Sequence, residues 1–398
     1  MNHMHNKNTI ENIYIIAVIT AFSLLFFSNA DQMEGIQTIP IISSLNKAFY
    51  LPCGIALLCS IFMEKPKLDK IGYSINVLLF FLILACLIHP PYTFSILSWS
   101  LTRIIFGILC FKDIRHISLK KFVTILTYFS PFIVFAHYYF VDPFSYGLYR
   151  FGGFYGDANY LALAFNFLIL CSYYAIKINE NIITKIAGII TILGSIPLIM
   201  LGISRGGIIG MVLLIVGIMY DISRTNKSAT VIILFTFILS YGTLRTIFSD
   251  EIRNIEIRFS GENVSDEYST KIRIYQIEGI FTVFNNRPGL IPFGIGTENG
   301  LIAYEMYGND GYYSRHVIHN TFFKVLFEAG IFAFITYLYL LFCALMVIIR
   351  QRAFLHIAFF LSLIITASTV PCIAFMPYWI AFFFITSNDN TLILQDKR

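Results

Sequence analysis

The chain has 398 residues, of which 57% are hydrophobic and 13% charged, with a formal net charge of +5 and a mean hydropathy of +0.73. Soluble globular chains carry about 25% charged residues, so the composition excludes a soluble enzyme and predicts an all-α, polytopic integral membrane protein. The basic excess follows a positive-inside bias and gives no reason to expect a nucleic-acid partner.

Windows of about 20 residues predict about 12 transmembrane helices, near 11–28, 46–64, 71–89, 93–111, 122–141, 159–177, 186–203, 206–222, 229–248, 321–349, 354–371 and 373–387. The first run lacks a small-x-small cleavage pattern and reads as a retained span. The connection at Ser204-Arg205 is almost absent, which predicts a tight helical hairpin with the arginine at its tip. The tenth segment is long enough to include an interfacial entry. The chain therefore divides into spans one to nine over 1–248, one long loop over 249–320, and spans ten to twelve with a short tail over 321–398.

Orientation follows from lysine and arginine in the short loops. Lys7, the cluster Lys65, Lys67 and Lys70, the cluster Lys112, Arg115, Lys120 and Lys121, then Lys177, Lys185, Arg224, Lys227, Arg350, Arg352, Lys397 and Arg398 all fall on one side of a 12-span chain. That side is predicted to be cytoplasmic, with both termini. The seven cysteines lie in apolar segments without metal spacing and read as small buried hydrophobes.

The opposite side carries the unusual residues. Its long loop holds Arg253, Arg258, Lys271, Arg273, Arg287 and Arg315, interspersed with acids from Glu251 to Asp310. Basic residues there run against the bias, although long loops are partly exempt and an ordinary solvated loop stays open. Within the loop, Ser269-Thr270 followed by 271–281 predicts a capped amphipathic helix, and Pro288-Gly289 and Gly294-Ile295-Gly296 predict turns.

Three clusters carry chemistry. The first runs from Arg150 through Gly152, Gly153 and Gly156 to Asp157 and Asn159. A glycine-rich loop enters a helix there, with Asp157 or Asn159 at its cap. Such an N-terminus suits an anion, though glycines in a short turn are also ordinary turn chemistry. The second is Ser204-Arg205-Gly206-Gly207. A guanidinium beside hydrocarbon costs roughly 2.5–3.5 kcal/mol at a helix centre. It persists by pairing with phosphate or carboxylate, or by snorkelling to headgroups. The third is His319-Asn320 where the long loop re-enters the membrane, with Glu328 nine residues after the histidine. An imidazole titrates near neutrality and can take a proton from a sugar hydroxyl. A structural histidine stays open, and Glu328 is either a functional partner or half of a packing ion pair.

The order of these clusters resembles the O-antigen ligase and O-antigen polymerase family. It runs from an Arg-x-Gly-Gly loop with Asn159, through Ser-Arg-Gly at a hairpin tip, to an arginine-bearing loop helix. Gly-x-Gly, His-Asn and Glu-x-Gly then follow. The resemblance covers most of the chain beyond Tyr149; the first spans match only in hydropathy. It implies a GT-C-like membrane glycosyltransferase in the bacterial inner membrane, with its active site on the periplasmic face. The donor it implies is an undecaprenyl-diphosphate-linked oligosaccharide and the acceptor a glycan hydroxyl. Arg205, Arg273 and Arg150 match arginines taken to hold the diphosphate, and His319 matches the candidate base. Asn159, Asn320, Glu328 and Ser204 stand as supporting residues. Lys271, Arg258 and Arg253 lie close enough to Arg273 to compete with it for the loop position.

A diphosphate leaving group needs charge stabilisation as the glycosidic C–O bond breaks, which two or three arginines supply. No Asp-x-Asp motif is present, and the expectation is a metal-independent enzyme without a cofactor. The tyrosines at 268, 275, 304, 307, 312 and 313 suit sugar stacking and favour the polymerase over the ligase. Expected partners are membrane lipid, a chain-length regulator and a flippase. A transporter is the alternative of another class. It would require ionisable groups deep in several spans and two similar halves. The charges within or beside spans are few (Arg103, Arg205, Arg245, Glu328), and no half-to-half similarity is visible.

Overall fold

The computed structural model describes residues 2–25, 48–63, 69–90, 94–140, 151–228, 264–297 and 318–387, together with Arg253, Glu256, Asn299 and Gly300. Among the described residues the chain is helical and contains no strand. The helices are α1 (Asn2–Leu25), α2 (Tyr50–Phe62), α3 (Lys70–Ile88), α4 (Phe94–Phe111), α5 (Leu119–Phe140) and α6 (Ala158–Ile178). They continue with α7 (Ile182–Leu201), α8 (Arg205–Thr225), α9 (Val264–Asn286), α10 (Thr321–Arg350), α11 (Phe354–Thr369) and α12 (Met376–Ile385).

These helices coincide with every apolar segment read from the sequence except 229–248, which lies outside the described residues. Seven are long and apolar enough to cross a membrane: α1 over Asn8–Leu25, α3, α5, α6, α7, α8 and α10. The expectation of about 12 spans is not carried that far. Helix α12 is the shortest of these twelve helices. It has 10 residues, all buried, and at 1.5 Å per residue it is about 15 Å long, half the thickness of a hydrocarbon core. Its side chains are covered by protein, and the segment 372–387 that contains it runs from the Thr321 contact at one end of the bundle to the Arg115 contacts at the other.

Helix α6 is the axis of the bundle, with 89% of its apolar window buried. It packs against α5, α7, α8 and α11, while α12 packs against α4 and α10 packs against α3 and α11. Helices α8 and α11 run closely antiparallel. A Cβ on Gly207 would stand 2.4 Å from the Ala162 Cβ of α6, and one on Gly210 would stand 2.3 Å from Ser362 Oγ of α11. Without a hydrophobic drive between helices in lipid, small residues that admit neighbouring backbones supply the packing. The outer helices turn apolar side chains such as Phe80, Phe132, Leu193 and Phe342 outward, as a lipid-facing surface requires. The cysteines are all free, and all but Cys59 are buried.

One end of the bundle is fastened by charge. Arg115 is 3% exposed, although the sequence groups it with the solvated basic residues. Its guanidinium donates to both carboxylate oxygens of Asp69 at 3.1 and 2.5 Å and to the Thr386 carbonyl at 3.1 Å. The Ser387 hydroxyl donates to the Arg115 carbonyl at 3.0 Å. Asp69 also caps α3 by accepting from the Gly72 N–H at 2.8 Å. At the C-terminal ends of α6 and α8, Asp221 accepts from Lys177 Nζ at 2.8 Å and from the Tyr173 hydroxyl at 2.5 Å. Two of the basic residues of the short loops, Arg115 and Lys177, therefore bind helix ends together.

Candidate active site at the other end of the bundle

Helices α6, α8 and α10 all begin at the opposite end, where α11 finishes. Their first turns are built by short polar side chains. Asp157 is the cap of α6: its Oδ1 accepts from the Asn159 N–H at 2.7 Å and from Asn159 Nδ2 at 3.1 Å. This settles which of the two residues caps, and it places a carboxylate at that helix's positive end. Phe154 inserts from the preceding glycine loop against His137, with ring centroids 4.8 Å apart. Arg150 lies outside the described residues.

The hairpin tip is as tight as the sequence implies, with α7 ending at Leu201 and α8 starting at Arg205. Ile203 makes the reversal with φ of 46°, a left-handed conformation that is rare for a β-branched residue. Ser204 then caps α8, accepting from the Gly207 N–H at 3.1 Å. The Ser204 hydroxyl donates to Asn159 Oδ1, and the Thr369 hydroxyl approaches the same oxygen at 3.4 Å. Arg205 follows as the first residue of α8, half-buried.

The His319-Asn320 segment meets the same end of α11. Asn320 caps α10 by accepting from the N–H groups of Phe322 and Phe323 at 2.9 and 3.1 Å, and its Nδ2 donates to the Ser368 carbonyl at 3.0 Å. Thr321 donates to the Val370 carbonyl at 2.7 Å and accepts from the Cys372 N–H at 2.7 Å. The backbone from Ser368 to Val370 is thus the junction where the Asn159–Ser204 pair and the His319-Asn320 turn are joined. Ser368 and Thr369 escape the sequence reading. The signal was there: a run of hydroxyl residues ends an apolar segment just before Pro371.

Helix α9 carries the loop arginine. It runs from Val264, so Ser269 and Thr270 lie inside it rather than capping it. Ile280, Val283 and Phe284 form a buried cluster with Ile295, Ile318 and Phe327. Gln276, 3% exposed, accepts from the His319 N–H at 3.2 Å. Arg273 lies three residues before Gln276 and seven before Ile280, so it shares the docked face of α9. Lys271 is exposed, and its spacing puts it on the opposite face.

Glu328 has a partner that the sequence reading did not name. Lys324 Nζ donates to its Oε1 at 2.8 Å, with both side chains buried. The pair lies one and two turns below Asn320. Two residues further, Gly330 breaks α10 with φ of 82° and ψ of −178°. The Ile295 and Gly296 N–H groups donate to the Phe327 and Glu328 carbonyls at 3.0 and 2.9 Å, and the Ile331 N–H donates to the Ile291 carbonyl at 2.9 Å. The 291–296 turn thus takes up the hydrogen bonds that the break releases, the condition for non-helical backbone at membrane depth. The Gly-x-Gly and Glu-x-Gly signals are two halves of one interlock.

Among its described residues the chain is accordingly all-helical and multi-span, with polar groups gathered at one end from the starts of three helices, the end of a fourth and a docked loop helix. Residues 189–338 match the O-antigen ligase family model. The match supports the O-antigen ligase and polymerase family, whose members are glycosyltransferase-like enzymes acting on lipid-linked glycans in the membrane, and it does not separate polymerase from ligase. It takes in Arg205, Arg273, His319, Asn320 and Glu328 and stops short of Arg150 and Asn159. No curated protein matches the chain.

Proposed function

We propose that the chain is an O-antigen polymerase of the bacterial inner membrane. It joins undecaprenyl-diphosphate-linked oligosaccharide units at the periplasmic end of the bundle. The observation that carries this reading is the junction at Ser368–Val370, which brings the Ser204-Arg205 helix start and the His319-Asn320 turn to one place. Two helix N-termini beside a half-buried guanidinium suit a diphosphate, and a half-buried imidazole suits a sugar hydroxyl.

In this mechanism Arg205 and Arg273, with Arg150, grip the donor diphosphate. The acceptor hydroxyl oxygen attacks the anomeric carbon, His319 takes the hydroxyl proton, and the glycosidic C–O electrons leave on undecaprenyl diphosphate. Attack opposite the leaving group inverts the anomeric centre. Asn159 and Ser204 fix the start of α8, and Asn320 fixes the turn that presents His319.

The ligase is the second reading, favoured by the description of the matching family. It uses the same diphosphate grip with lipid A-core as acceptor. The test is deletion of the gene in its host, with lipopolysaccharide and lipid-linked glycan resolved on gels. Core carrying a single repeat unit supports the polymerase. Bare core with long glycan held on its carrier supports the ligase. An unchanged ladder removes both and favours a transporter.

A further inference from the structure

We infer that Gln276 is a positioning residue: it holds His319 in register with Arg273 across the docked face of α9. Nothing in the family match assigns it a role, and the inference rests on the reading of His319 as the proton acceptor. Gln276 is an amide buried to 3% exposure on a helix that leaves its neighbours Ile274, Tyr275 and Glu278 exposed. Its side-chain oxygen accepts from the His319 backbone N–H at 3.2 Å. That donor can only face an oxygen, so the amide orientation is fixed by its partner.

Adhesion alone does not require this amide. The apolar cluster of Ile280, Val283 and Phe284 against Ile318 and Phe327 already docks α9 on α10, with the Phe284 and Phe327 ring centroids 5.7 Å apart. Gln276 adds a point contact one turn beyond that cluster, at the residue whose side chain must meet the acceptor. Asn320 fixes the next residue to Ser368 from the other side. His319 therefore sits between two clasps, one leading to α11 and the Arg205 helix, the other to the Arg273 helix. Small errors of placement cost large factors in rate when a proton acceptor must meet a hydroxyl in line with a leaving group.

The experiment uses the full-length chain in lipid nanodiscs and three proteins: the parent, Gln276→Leu, which removes the acceptor at similar volume, and Gln276→Glu, which keeps an acceptor. Hydrogen exchange at the His319 amide is read without substrate. Turnover is read with undecaprenyl-diphosphate-linked glycan extracted from a host lacking the gene. For Gln276→Leu we expect amide exchange faster by about tenfold or more, kcat reduced by about tenfold or more and a donor KM close to the parent. Gln276→Glu should restore both readings. Parental exchange and kcat in Gln276→Leu would overturn the inference, as would faster exchange with unchanged kcat, or a Gln276→Glu variant as impaired as Gln276→Leu. A parent chain that transfers no glycan removes the transfer reading, and the positioning role with it. The exchange arm, which needs no substrate, still says whether the clasp exists, so the two failures are told apart.

Discussion

Ser204 donates its hydroxyl to the side-chain oxygen of Asn159, 45 residues earlier in the chain. The same Ser204 oxygen accepts from the Gly207 N–H, so one hydroxyl both caps α8 and ties it to the first turn of α6. Asn159 Oδ1 also faces the Thr369 hydroxyl. Replacing Asn159 with leucine strands the Ser204 hydroxyl among buried groups, at about 1–3 kcal/mol for the unsatisfied donor. The expected outcome is a lower Tm in detergent and a loss of long-chain glycan. Thr369→Val should be milder, because Thr369 contributes a longer contact and also donates to Thr366 at 2.9 Å. Equal Tm for parent and Asn159→Leu would remove Asn159 from the junction.

Gly330 is held where no other residue fits. A Cβ there would stand 2.3 Å from the Pro292 carbonyl oxygen and 2.5 Å from the Phe293 nitrogen, both backbone atoms, and its φ of 82° is left-handed. Gly330→Ala should destabilise by at least about 1–3 kcal/mol from conformation alone, with the clash added to it. Gly289 is the control, because a Cβ there meets nothing within 4 Å. Thermal unfolding of the two purified variants separates them: Gly289→Ala near the parent and Gly330→Ala far below it. Similar Tm values for both would mean that the α10 break relaxes freely.

The Lys324–Glu328 pair decides between the two roles open to Glu328. Removing one member strips a buried charge of this ion pair, at about 3–5 kcal/mol, whereas replacing both with apolar groups is often close to neutral. Lys324→Met and Glu328→Leu should each fail to accumulate, and the double variant should recover Tm. If the pair serves packing, the double variant also recovers glycan polymerisation. Recovered stability without activity would show that a charge at this position takes part in the reaction.

At the other end of the bundle, burial pushes the Asp69 carboxyl up, but the Arg115 hydrogen bond, the Gly72 N–H and the guanidinium charge outweigh it and hold the group below its usual value. A depressed folded pKa means that this stabilisation is fully present above about pH 4 and is lost as the pH falls through the lower folded value. The Asp69 side chain is 39% exposed, so solvent screens part of the effect. Asp69→Asn keeps a good helix cap and removes the charge. Its Tm deficit should be constant near neutrality and should shrink below about pH 4. A deficit that persists unchanged to pH 3 would rule out the ion pair as its source.

Helix positions were legible because hydropathy and caps are local signals: Asp157 or Asn159 announces α6 in the sequence, and Arg205 marks the tip between α7 and α8. Residues whose meaning depends on packing were not legible. Arg115 reads as a solvated loop cation until Asp69 and Thr386 close around it. Gln276 is one polar residue among many in a polar loop until α9 docks. The burial of α12 is hidden, because hydropathy scores protein-facing and lipid-facing apolar side chains alike. Gly294 is visible as a turn, but the sequence reads 321–349 as one unbroken segment; the break at Gly330 and its pairing with the 291–296 turn come from a contact between segments about 36 residues apart that periodicity does not encode.

The diphosphate grip makes the sharpest demand on Arg205 and on the choice of loop cation. Arg205→Ala, Arg273→Ala and His319→Ala should each abolish long-chain glycan while the protein still inserts, as judged by membrane yield. Normal glycan length in all three would sink the site assignment. Arg205→Lys tests the form of the grip: a planar fork binds phosphate through two parallel N–H donors and an ammonium does not, so the lysine variant should also fail. Full activity in Arg205→Lys would reduce the residue to a point charge. Lys271→Ala completes the set. Lys271 is exposed and lies across α9 from the docked face that holds Arg273 and Gln276, so its loss should leave chain length unchanged. If Lys271→Ala fails and Arg273→Ala does not, the donor binds the other face of α9, and the link between that helix and His319 carries no part of the reaction.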